Sequence, residues 1–204
     1  MAGNLKDPMV GRDVLLGGLL GTLHTGAIAF GAILSRWLGF HSPPPLMSNV
    51  QTLGSVRTML ASFLNSDVVA SVFVGFAFLF FLLLLYIILR KQWLAVIALF
   101  FTVLVIEIAA FASAAPNFFW IASLLISLVL VTVVTRLGLL ATMAAQLFFF
   151  LTAFYPMTTD FSVWYAPAGG FALVVVVGLS IYGFYTSLGA QPAFGDRITR
   201  LTGE

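Results

Sequence analysis

The sequence predicts an all-α fold: a polytopic transmembrane helical bundle of about six spans, with both ends in the cytoplasm. Three observations lead there. The composition is that of a chain solvated by lipid, long apolar runs alternate with turn-forming residues, and the cations fall mainly on one side of those runs. Hydrophobic residues make up 61% of the chain and charged residues 8%, with a mean hydropathy of +1.12. A globular fold of this size needs far more charge to cover its outside, whereas a bilayer accepts apolar side chains facing outward.

The first apolar run covers 14–40, the second 68–89 and the third 93–113. Each reaches the roughly 20 residues that cross a bilayer as a helix. The first is also much longer than the apolar core of a signal peptide, so a span is expected there. The fourth run, 118–135, and the fifth, 137–155, meet at Arg136-Leu137-Gly138, which reads as a tight hairpin. One straight helix of about 38 residues would extend ~57 Å, nearly twice the hydrocarbon thickness. The sixth run covers 161–188. This leaves 1–13 as a cytoplasmic N-terminal segment and 189–204 as a cytoplasmic tail.

The breaks carry their own markers, since Pro, Gly and capping residues collect at helix ends. His41-Ser42-Pro43-Pro44-Pro45 ends the first run, Arg90-Lys91 the second, Ala115-Pro116-Asn117 the third, and Pro156-Met157-Thr158-Thr159-Asp160 the fifth. The segment 51–64 reads either as a surface segment or as an extended start to the second helix, and Asn65-Ser66-Asp67, which offers N-cap chemistry for a helix starting near Val68, slightly favours the separate segment. Thr158-Thr159-Asp160 reads in the same way as a cap for the last helix.

Lys and Arg in short loops resist translocation. With six spans and an internal N-terminus, Lys6, Arg12, Arg90, Lys91, Arg136, Arg197 and Arg200 lie inside, and Arg36 and Arg57 lie outside. Five spans would move Arg197 and Arg200 to the wrong side. The net charge of +2 is too small for nucleic-acid binding, and the absence of Cys removes disulfides, thiolate catalysis and zinc–thiolate sites.

A polar side chain in hydrocarbon costs about 2.5–3.5 kcal/mol on insertion scales, so each one calls for a role. His24, Glu107 and Gln146 are the intramembrane candidates. His24 and Gln146 are ~15 Å deep, and Glu107 is nearer the outer face. A proton relay or ion site is one use of them, and hydrogen bonding between helices is the commoner one. No cofactor beyond lipid is expected. Haem or chlorophyll on His24 is the less favoured reading, and paired histidine ligation is excluded because His24 and His41 lie ~25 Å apart along a helix.

Gly17 and Gly21 fall in a stripe with Gly18, Thr25, Ala29 and Ala32 that permits close helix contact, within the bundle or between copies. Trp120, Trp164 and Tyr165 near the outer edge and Trp93 near the inner edge read as interfacial anchors. Arg12 and Asp13 are the candidate docking contacts on the cytoplasmic side, with lipid phosphate and helix capping as their simpler uses. The H-E-x-x-H, G-x-S-x-G, P-loop and kinase catalytic motifs are absent, so an enzyme within this chain is not expected.

The string Asp7-Pro8-Met9-Val10-Gly11-Arg12-Asp13 leads into the Gly-rich first run, and Arg136-Leu137-Gly138-Leu139-Leu140, Asp160-Phe161-Ser162-Val163-Trp164-Tyr165 and Tyr182-Gly183-Phe184-Tyr185-Thr186-Ser187-Leu188 follow downstream. In these strings the chain resembles the membrane-embedded C-terminal region of acidobacterial serine/threonine kinase-like proteins. In that family the kinase domain precedes the membrane region, so the resemblance implies a cytoplasmic N-terminus. No kinase domain stands in this sequence, and the family's catalytic residues have no counterparts here. The chain reads either as a free-standing relative of the membrane module or as a portion of a longer product.

Three functions follow as expectations. The first is a non-catalytic anchor, sensor or docking platform in a bacterial inner membrane, partnered by lipid and by another protein or a second copy. The second is an accessory subunit of an energy-converting or photosynthetic complex, in which helices rich in the 21 Phe pack on neighbouring subunits or pigments. The third is a small ion- or proton-coupled transporter.

Overall fold

The computed structural model describes residues 7–39, 53–111, 119–158, 160 and 162–189; the side chains of Ser35, Ala110, Phe111, Phe119, Trp120 and Ile121 are not described. The described residues form six helical rods and no strand. The first rod, α1, is Pro8–Trp37. The second, α2, is Val56–Leu89, and the third, α3, is Gln92–Phe111. The fourth, α4, is Phe119–Thr132 continued by the π-helical stretch Val133–Leu137. Leu139–Ala153 is α5 and Ala166–Leu188 is α6.

Helices α1, α2, α3 and α6 contain stretches long and apolar enough to cross a membrane, while α4 and α5 are apolar but shorter. Their outer faces expose Phe30, Phe73, Phe80, Ile87, Phe101, Val105 and Val174, a surface that water does not tolerate over such an area and a bilayer does. The chain is a helical membrane protein.

Helix starts differ from the sequence reading in three places, each for a local reason. At α1, Asp7 provides the cap through its Oδ1, which accepts the Met9 N–H at 2.9 Å, and Pro8 opens the helix. Asp13 therefore lies in the second turn of α1 and not at its start. At α2, Ser55 makes a reciprocal capping pair with Thr58, so the helix begins at Val56, twelve residues before the expected Val68. The polar Asn65-Ser66-Asp67 does not begin a helix. It falls in a π-helical stretch, Phe63–Val69, in the middle of the rod. At α6, Tyr165 occupies the cap position without a side-chain hydrogen bond and Pro167 lies in the first turn. Asp160 closes a local turn instead, accepting Ser162 N–H at 2.9 Å and Ser162 Oγ–H at 2.6 Å.

The turns agree with their markers. Arg90, in the left-handed region at φ 53, reverses the chain between α2 and α3. Gly138, at φ 89, does so between α4 and α5. The breaks at 41–45 and 115–117, Lys6, and the tail with Arg197 and Arg200 lie outside the described residues.

Two apolar cores bind the rods. Leu82 of α2, Leu99 and Val103 of α3, and Leu130, Val131 and Val134 of α4 form one. Met59 of α2, Leu151 and Tyr155 at the end of α5, and Ala168 and Ala172 of α6 form the other. The helix α1 packs most closely along α5 and next along α6. These contacts alternate the helix directions. Gly11 meets Gly183 and Ser187 of α6, so the start of α1 and the end of α6 share one end of the bundle. Met59 joins the start of α6 at the other end, and α2 returns from there to Arg90.

Candidate functional site

Glycines of α1 bring it into close contact with its neighbours. A methyl group on Gly17 would run into the Ala141 carbonyl of α5, and one on Gly21 into the Ala145 carbonyl. The two helices run parallel, so Gly17 and Gly21 on one face Ala141 and Ala145 on the other at the same four-residue spacing, the geometry of small-residue helix pairs in membranes. One turn further along, Thr25 Oγ1 and Thr152 Oγ1 lie 2.7 Å apart. Gly26, by contrast, faces open space.

Where this seam meets α4, a small cavity opens, lined by Leu20, Gly21 and His24 of α1, Ile126, Val129, Leu130 and Val133 of α4, and Thr142, Ala145 and Gln146 of α5. It lies where α4 passes from α to π winding at Val133, a local change often found beside functional residues. His24 is 8% exposed and Gln146 6%. The His24 ring stacks on Phe149, with centroids 4.0 Å apart and 14° between planes, and its Nε2 is enclosed with no hydrogen-bond partner among the described residues. Thr142 donates its hydroxyl to the Gly138 carbonyl at 2.8 Å. The structure thus brings together His24 and Gln146, two of the three intramembrane candidates. Glu107 is not among the residues lining the cavity; it sits partly exposed on α3, a helix that packs on α2 and α4.

A second polar contact was not foreseen. Asp67, 2% exposed, accepts the Tyr155 hydroxyl at 2.8 Å, linking the π-helical stretch of α2 to the end of α5 beside Met59 and Ala168. Its only sequence signal was a lone acid in a long apolar helix, a signal that a cap also produces. Ser123 is a further buried hydroxyl whose Oγ has no partner among the described residues.

At the end of the bundle where α1 begins, Arg12 is exposed and its Nε lies 3.6 Å from Asp13 Oδ1. Arg90 and Lys91 at the α2–α3 turn and Arg136 near the α4–α5 turn share that end, while Arg36 and Arg57 lie at the other. Trp93 is exposed at the first end, and Trp164, edge-on to Tyr165, at the second. Trp120 belongs to α4 by its backbone, and its side chain is outside the described set. At that second end the two hydrogen bonds from Ser162 hold the Asp160 carboxyl below its usual range. Among the described residues no three His, Asp or Glu side chains gather as a metal site. No family model, curated protein or solved structure matches the chain.

Proposed function

We propose that the chain is a non-catalytic membrane module, an anchor or docking platform, that crosses a bacterial inner membrane six times with both ends in the cytoplasm and holds a protein partner at its cytoplasmic end. The observation that carries this reading is the convergence at one end of the bundle. The first turns of α1 and the last turns of α6 are in contact there through Gly11 and Gly183, and Arg12, Arg90, Lys91 and Arg136 lie toward the same end of the bundle. Short cationic loops stay on the cytoplasmic side. A domain or partner joined to the N-terminus would meet a platform built from several helices, not a single tether, which fits the family resemblance of Asp7 to Asp13.

Arg12 is the contact to test. Its side chain is 58% exposed, and at 3.6 Å its pairing with Asp13 is a loose surface interaction that leaves the guanidinium accessible to an acidic partner or to lipid phosphate. Native purification in mild detergent should yield a stoichiometric co-eluting protein that Arg12→Glu releases, with the elution volume of the bundle unchanged. Retention of every partner by Arg12→Glu would rule out docking at this face.

A further inference from the structure

The geometry points to a single bound water inside the bundle, held by His24, Gln146 and Thr142 at the junction of α1, α4 and α5. The cavity these residues line has room for about one water molecule. Purely apolar cavities of this kind stay dry, and a buried water needs two to four polar partners. Here three polar residues line the cavity. His24 Nε2 is enclosed and lacks a partner among the described residues. Gln146 supplies both a donor and an acceptor from one carboxamide. Thr142 has committed its hydroxyl proton to the Gly138 carbonyl, so its oxygen remains free to accept.

Water suits this set better than any larger guest. With two protons and two lone pairs it satisfies His24 Nε2 in either ring tautomer, gives a proton to Thr142, and meets either end of the Gln146 amide. An imidazole nitrogen left unpaired at this depth carries its full desolvation penalty, and hydration removes it. The water also joins α1 to α5 through polar groups directly beside Gly21, where the two backbones already touch. The site is independent of the docking reading, since it lies within the bundle and not at its cationic end.

The test uses the full chain with His41→Gln, so that His24 is the one histidine, labelled with ¹⁵N-histidine in lipid nanodiscs. A bound water should give a cross-peak between the His24 ring protons and the water frequency, alongside cross-peaks from His24 to the stacked Phe149. Ring cross-peaks to Phe149 without one to water would overturn the proposal. In Gln146→Leu the water cross-peak should be lost while the Phe149 contacts persist, and its survival there would be equally fatal. Thr142→Val, which keeps the side-chain volume, covers the case in which Gln146→Leu does not fold. It should move the Nε2 resonance, and an unmoved Nε2 counts against the site.

Discussion

At Gly21 a single hydrogen atom decides whether α1 and α5 can touch. The position of an added methyl is already occupied by the Ala145 carbonyl, and backbone cannot step aside as a flexible side chain can. Gly21→Val is therefore expected to destabilise the bundle by about 1–3 kcal/mol or more. Gly26 on the same helix faces open space, so Gly26→Ala should be neutral or stabilising by about 0.5–1 kcal/mol through helix propensity. Denaturation by SDS in mixed micelles, followed by Trp fluorescence, checks both. Equal effects at the two positions would show that the seam is not the contact described. His24 and Gln146 were legible as candidates because a polar group in hydrocarbon stands out against its neighbours. Glu107 stood out equally, yet it does not line the cavity. Periodicity tells which face of its own helix a residue occupies and is silent about the helix that face will meet.

The π-helical stretch of α2 shows the same blindness one level up. Asn65-Ser66-Asp67 resembles a helix start because, judged locally, an aspartate must face water or cap a helix. What satisfies it is Tyr155, 88 residues away, so the rod continues from Val56 to Leu89 without a break. The hairpin at Gly138 and the reversal at Arg90 were legible because their causes are local: a glycine free to take positive φ, and a charged pair at the end of an apolar run. Removing the Tyr155 hydroxyl leaves Asp67 buried without that donor, so Tyr155→Phe should cost about 1–3 kcal/mol. Combining it with Asp67→Leu should cost less than the two single changes together, because the pair then leaves nothing polar unmet. A strictly additive double mutant, measured by the same unfolding assay, would mean that the bond does not hold α2 to α5.

Across the whole molecule the alternation of helix directions puts Lys91 and Arg57 at opposite ends of the bundle. The natural chain has no Cys, so each position can carry a single thiol on a silent background, and both residues are exposed. On the proposed topology, Arg57→Cys in spheroplasts should react with a membrane-impermeant maleimide, and Lys91→Cys should react after permeabilisation alone. The reverse pattern would invert the bundle, and labelling of both from outside would break the six-span arrangement.

The seam between α1 and α5 also bears on the order of events during synthesis. A membrane chain is threaded into the bilayer in the order of its synthesis, so α1 enters before the helices it packs on most closely, α5 and α6. Until then its glycine face has lipid for company, and His24 has no Phe149 to stack on. Within this bundle α1 is thus seated only after α5 and α6, which follow it in the chain, have joined it.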